Sequence, residues 1–147
     1  MIRPVSFSDL NSILQIESQS FPKSPYDWTT FLHLHMLYPD TFLVYCNADR
    51  VGEEILAYII FSQDGHVISI AVHPHHRRKG IGARLLRRAM NTPSLEKVWA
   101  EVRISNLGAQ AFYSKLEFQI AGLVPNYYGN EDALIVQWIP RLHQRSY

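Results

Sequence analysis

The chain has 147 residues, 47% hydrophobic and 18% charged, with a net charge of +1. That balance excludes a disordered polar segment and suits one domain over residues 1–147; the near-neutral charge excludes a general nucleic-acid binder. No apolar run approaches the ~18 residues of a membrane span, residues 1–6 lack the apolar stretch of a secretion signal, and the only cysteine, Cys46, permits no internal disulfide, so a cytoplasmic protein is expected.

In chain order, a short extended piece is expected at Ile2 to Val5, followed by a helix capped by Ser8 or Asp9 and carrying Leu10, Ile13, Leu14 and Glu17 toward Phe21. Pro22 and Pro25 end it, and a second helix runs from about Asp27 through Phe31 and Leu34 to Tyr38, before Pro39. Three strand-like runs follow at Thr41 to Cys46, Ile55 to Ser62 and Val67 to Val72, separated by Asn47-Ala48-Asp49 and Asp64-Gly65, and read as an antiparallel meander. From Gly80 the period becomes helical, with Gly82, Leu85, Leu86, Ala89 and Met90 on one face and Arg84, Arg87 and Arg88 on the other. A strand at Val98 to Ile104, a helix capped by Asn106 with Ala109, Phe112, Tyr113 and Leu116 on its apolar stripe, and two strands at Phe118 to Val124 and Ala133 to Ile139 complete the chain. The strand at 67–72, the helix from 80 and the strand at 98–104 form a β-α-β unit with parallel strands. The class is α/β, a mixed, mostly antiparallel sheet flanked by helices.

The most informative segment is His73-Pro74-His75-His76-Arg77-Arg78-Lys79-Gly80-Ile81-Gly82-Ala83-Arg84, a basic loop between a strand and a helix. Glycines let backbone approach a ligand closely, and the helix start offers unpaired N–H groups of partial positive charge, so an anion such as a diphosphate suits it. The loop lacks the Gly-Lys-Ser/Thr ending of a Walker A loop and the longer Gly-x-Gly-x-x-Gly dinucleotide fingerprint. His73, His75 and His76 have no Cys partner or His-Glu-x-x-His helix, so no metal is expected.

Arg77-Arg78-Lys79-Gly80-Ile81-Gly82 resembles the Arg/Gln-x-x-Gly-x-Gly/Ala signature of the GCN5-related N-acetyltransferases (GNAT). The resemblance extends from residue 2 to 139 through three further stretches: His66 to Val72, Ala100 to Asn106 with Ala111 to Phe118, and Asn126-Tyr127-Tyr128 with Glu131-Asp132-Ala133. Within that family the chain is most similar to the ribosomal-protein-alanine and archaeal N-terminal acetyltransferases. The resemblance implies a GNAT fold, acetyl-CoA as donor, and a protein or peptide N-terminus as acceptor, attacked directly in a ternary complex. It places coenzyme A on Ile70, Ala71, Val72, Arg77, Arg78, Lys79, Gly80, Ile81, Gly82, Ala83 and Asn106. Glu101 is then the base, Tyr113 the acid that returns a proton to the leaving thiolate, and His66 a second proton-transfer candidate. Phe21, Pro22, Lys23 and Tyr26 on one side, with Tyr127 and Tyr128 on the other, would line the acceptor entrance. Some archaeal relatives carry an acidic residue where Lys23 stands.

Read from the residues alone, each of these has a plainer alternative. Glu101 shares a strand face with Trp99 and Arg103 and could pair with Arg103 or with a surface cation, Tyr113 could be a core aromatic whose hydroxyl meets a backbone group, and His66 a turn or strand-edge histidine beside Gly65. A lysine side chain or free polyamine remains the alternative acceptor, and a non-catalytic acyl-CoA-binding module the alternative class. The oligomeric state is left open.

Overall fold

In the computed structural model, which describes residues 1–49 and 52–141, the chain begins with strand β1 (Ile2–Pro4), helix α1 (Leu10–Ser20) and helix α2 (Trp28–Leu37). Asp9 stands at the N-cap of α1, one of the two positions expected, but its side chain makes no cap hydrogen bond to that helix. Residues Phe7–Asp9 form a short 3-10 turn, and the Asp9 carboxylate accepts from the Ser6 N–H at 2.8 Å while also pairing with Arg3. The second helix begins beside Asp27 as expected, and Asp27 caps it, its side chain accepting from the Thr30 N–H at 2.8 Å.

Strands β2 (Phe42–Asp49), β3 (Gly52–Phe61) and β4 (Val67–Val72) join β1 in a four-stranded sheet of order β1-β2-β3-β4. β2 and β3 pair antiparallel well past the predicted boundary: Asn47, Ala48 and Asp49, expected to turn, sit opposite Glu54, Glu53 and Gly52. Continued pairing overrides local turn preference there, because strand formation depends on neighbours more than on intrinsic propensity. Residues 50–51 lie outside the described residues, as do 142–147 at the end of the expected domain. Alternation along β2 places Phe42, Val44 and Cys46 in one buried cluster with Leu10, Ile13, Ile16, Phe31, Tyr58 and Ile60. Phe31 and Tyr58 meet edge to face at 5.7 Å, and burial of each such ring is worth about 1.5–3 kcal/mol.

Helix α3 (Ile81–Met90) follows β4, with Leu85, Leu86 and Ala89 fully buried and Arg84, Arg87 and Arg88 exposed, the split its period predicts. Strand β5 (Val98–Arg103), helix α4 (Leu107–Lys115), β6 (Gln119–Val124) and β7 (Ala133–Trp138) complete the described elements. The last three strands form a second sheet, order β5-β7-β6, antiparallel throughout. Val98, Ala100 and Val102 are buried along β5, which turns Trp99, Glu101 and Arg103 to its other face.

The expected β-α-β unit has its parallel pairing at one point among the described residues, a bridge from His66 to Trp99. There the Trp99 N–H donates to the Gly65 carbonyl at 2.9 Å. Gly65 has φ +87°, and a Cβ on it would fall 1.8 Å from the Lys97 carbonyl oxygen, so no other residue fits this crossing. Two compact units result, one of Met1–Ser62 with Ile68–Arg88, the other of Gln63–Val67 with Ala89 onward. None of the described helices is long and apolar enough to cross a membrane.

Candidate active site

The first unit carries the anion loop. After β4, Pro74–His76 form a 3-10 turn capped by His73, whose Nδ1 accepts from the His75 N–H at 3.1 Å. Arg78 and Gly80 then take positive φ values of 64° and 79°, which swings the backbone into α3. Arg78, Lys79 and Gly80 are exposed, and nothing lies within 4 Å of the position a Gly80 Cβ would occupy. The first N–H groups of a helix have no intrahelical partner, so the start of α3 adds donors and partial positive charge to that open space. These features fit a phosphate group. Arg77 is placed differently: its Nε donates to the Val72 carbonyl and its Nη2 to Ser20 Oγ, both at 3.1 Å, so its fork ties the loop to the end of α1. Ile70, Ala71 and Val72 lie on β4 leading into this loop, and Ile81, Gly82 and Ala83 form the first turn of α3.

The same unit holds Phe21, Pro22, Lys23 and Tyr26 in the α1–α2 connection. The Tyr26 N–H donates to the buried Glu17 carboxylate at 3.1 Å, and Glu17 also accepts from the Tyr58 hydroxyl. Burial pushes the Glu17 carboxyl above its ordinary range, against the opposing hydrogen bonds from Tyr58, the Tyr26 backbone and Ser69.

The second unit carries the titratable cluster. His66 Nε2 and Glu101 Oε2 are 2.7 Å apart, both half-buried. Burial alone would raise the Glu101 carboxyl, but the hydrogen bond and charge of His66, with a further hydrogen bond from Tyr127, hold it below the usual carboxylate range. An ionised carboxylate only accepts, so the imidazole Nε2–H donates in this pair. Tyr127 and Tyr128 stand edge to face at 4.9 Å. The Arg103 guanidinium lies 4.0 Å over the Tyr128 ring and donates to Glu131 Oε1 at 2.8 Å, while Glu131 Oε2 accepts from the Ser105 N–H. The Tyr128 hydroxyl is pushed up to about 12, chiefly by burial and then by Tyr127 and Glu101.

Tyr113 is buried in the same unit, 5.1 Å from the Phe118 ring, and burial followed by the Glu101 charge raises its hydroxyl well above the ordinary tyrosine range. Asn106 caps α4, its Oδ1 accepting from the Ala109 N–H at 3.0 Å.

The structure thus brings Glu101, His66, Tyr127, Tyr128 and Tyr113 into one electrostatic neighbourhood, and it resolves the alternative for Glu101: the partner is His66, while Arg103 pairs with Glu131. Three contributors escape sequence reading. Glu131 anchors the tyrosine turn, Arg103 stacks on Tyr128, and Trp99 lies flat against His66 at 4.1 Å. Position on β5 marks Trp99 and Arg103 as sharing a face with Glu101; nothing in the sequence names their partners.

The chain is similar to proteins of known class along nearly its whole length. It is 33% identical over 144 residues to a protein of Methanocaldococcus jannaschii named an uncharacterized N-acetyltransferase, covering 92% of this chain and 89% of that one. It is 30% identical over 155 residues to the N-alpha-acetyltransferase of Sulfolobus acidocaldarius, covering 92% and 89%. The crystal structure of the ribosomal-protein-S18-alanine N-acetyltransferase of Escherichia coli superimposes with a TM-score of 0.77 at 25% identity, covering 100% of this chain and 98% of that one. The model of the acetyltransferase (GNAT) family matches residues 10–118, which run through both the anion loop and Glu101, and the chain belongs to that family.

Proposed function

We propose that this protein transfers an acetyl group from acetyl-CoA to the α-amino group at a protein N-terminus, by direct attack of the amine. The family and the named activities of the Sulfolobus acidocaldarius and Escherichia coli relatives support the donor and the acceptor class. The family match runs through both units, which supports one catalytic domain over 1–147, and the lone Cys46 remains in keeping with a cytoplasmic setting.

One observation carries the choice of acceptor: the His66–Glu101 contact leaves Glu101 ionised and only weakly basic. An α-amine titrates near 7.7–8.0 and a lysine near 10.4, a gap of roughly 2.5 units or about 3.4 kcal/mol in the cost of deprotonation. A carboxylate held below its usual range relieves an α-ammonium of its proton far more readily than a lysine ammonium.

Acetyl-CoA supplies the activated thioester, with its diphosphate on the open space beside Gly80 and the α3 N–H groups. Arg78 and Lys79 add charge there, and Arg77 keeps the loop in place through Val72 and Ser20. Glu101 takes the amine proton on its carboxylate, directly or through a water, while the His66 N–H and the Tyr127 hydroxyl keep that carboxylate oriented. Tyr113 holds its proton throughout the working pH range, because its hydroxyl is raised. It serves as a hydrogen-bond donor to the developing thiolate more than as a full proton source, since transfer from so weak an acid to the thiolate of a thiol titrating near 8.5 runs uphill; the departing thiolate takes its proton from solvent.

The test pairs two peptides of one sequence containing an internal lysine, one with a free α-amine and one formylated. Incubated with acetyl-CoA and read by mass spectrometry, the free peptide should be acetylated at its N-terminus many times faster. Comparable rates would transfer the assignment to lysine.

A further inference from the structure

We propose that Trp99 is a positioning residue for proton transfer, acting through His66. The inference rests on the reading of His66 and Glu101 as the proton-handling pair. A histidine ring turns about a broad, roughly two-fold terminal torsion, and a flat aromatic face against it sets the plane of the ring in a way that the hydrogen bond to Glu101 by itself does not. Trp99 supplies that face: the imidazole and indole stack with centroids 4.1 Å apart and planes 13° from parallel.

The backbone fixes the two rings against each other. His66 and Trp99 form the parallel bridge, the Trp99 N–H holds the Gly65 carbonyl at 2.9 Å, and Gly65 is the one residue type the crossing admits. Lys97 brings its ammonium 5.7 Å from the centre of the Trp99 ring, a cation–π contact on the same indole.

A purely space-filling tryptophan explains the site less well. The Trp99 Nε1 is buried and has no hydrogen-bond partner among the described residues. An orphaned N–H is a cost that phenylalanine or leucine would not carry. What tryptophan offers in return is the widest flat aromatic face, and His66 occupies it. Glu101 stands two residues along the same face of β5, so one strand presents both the platform and the carboxylate between which the imidazole is held.

The experiment compares Trp99→Leu, which removes the flat face, with Trp99→Phe, which keeps one. Trp99→Leu should lower kcat on an N-terminal peptide by on the order of tenfold or more, as loss of alignment does, and leave the KM for peptide and for acetyl-CoA within about twofold. Trp99→Phe should recover most of that loss. In proton NMR of the free protein, the His66 ring signals, assigned by their disappearance in His66→Gln, should lie upfield from ring current and return downfield in Trp99→Leu. Thermal unfolding shows whether each variant is folded, and Trp99→Phe keeps the comparison open if Trp99→Leu is not. Unchanged kcat in Trp99→Leu, equal impairment of both variants, or unshifted His66 signals in the wild type would overturn the proposal. A wild-type protein that acetylates no N-terminal peptide would instead sink the proposed reaction, while the NMR comparison would still decide the stack.

Discussion

The anion loop and the Glu101 cluster use opposite construction. Residues 77–80 are exposed, and the loop's shape comes from backbone: two positive φ values, a helix start and an open space beside Gly80. The cluster is half-buried and made of interlocked side chains, with Glu101 on His66 and Tyr127, and Arg103 on Tyr128 and Glu131. A site made of backbone tolerates most side-chain changes and fails when its dihedrals are forbidden. A site made of side chains fails one atom at a time, and mostly in rate.

The largest expected effect lies in the cluster. Glu101→Gln keeps the shape and removes the charge, so kcat should fall by about 10²–10⁴ with acetyl-CoA affinity unchanged, measured by steady-state kinetics and calorimetry. A loss below threefold would erase the distinction between the two regions. Next comes the loop: Gly80→Val forces a β-branched residue to φ +79°, a strain of about 1–2 kcal/mol. Acetyl-CoA should then bind about tenfold more weakly, seen as a smaller rise in melting temperature on saturation, while kcat at saturating donor is spared.

Smaller again is Tyr127→Phe, which removes one hydrogen bond to Glu101. Such bonds to charged groups contribute about 1.5–3 kcal/mol when buried, and less here because Tyr127 is 49% exposed, so a loss of several-fold in kcat/KM is expected. An unchanged value would assign Tyr127 to the acceptor alone. The smallest effect on chemistry belongs to Glu17→Gln, in a buried carboxyl outside both constructions. Its raised folded pKa means the native state holds the proton more tightly than the unfolded chain, so wild-type stability falls as pH climbs from the ordinary carboxylate value through the raised one. The glutamine cannot titrate. Urea midpoints across pH 4 to 8 should therefore show the variant gaining on the wild type through that window, with kcat within twofold.

The two constructions also explain what the sequence disclosed. A backbone-made loop needs particular residues at fixed local spacing, and Arg77 to Gly82 can be found by pattern. The elements with clear period, α3 above all, lie where expected. The Glu101 partner was illegible for the opposite reason: Arg103, two residues away on the same face, was the local choice, yet His66 arrives from 35 residues upstream through the crossing at Gly65. The antiparallel hairpin runs longer than its polar Asn47-Ala48-Asp49 suggested because the opposing strand continues to Gly52. Among the described residues, parallel pairing shrinks to one bridge, with β4 and β5 in separate sheets, a feature that sequence periodicity does not encode.

Cys46 has a practical consequence. It is the only cysteine, 2% exposed on β2, and burial followed by the neighbouring Glu53 carboxylate raises its thiol pKa. The thiolate is the form that reacts with disulfide and maleimide reagents, so the folded protein should be silent to them. A chromogenic thiol reagent added to the acetylation reaction would then register the released coenzyme alone, with no enzyme background to subtract. In the absence of substrate the same reagent becomes a clock: its slow uptake reports how often β2 opens enough to bare Cys46, and so times the local breathing of the first sheet.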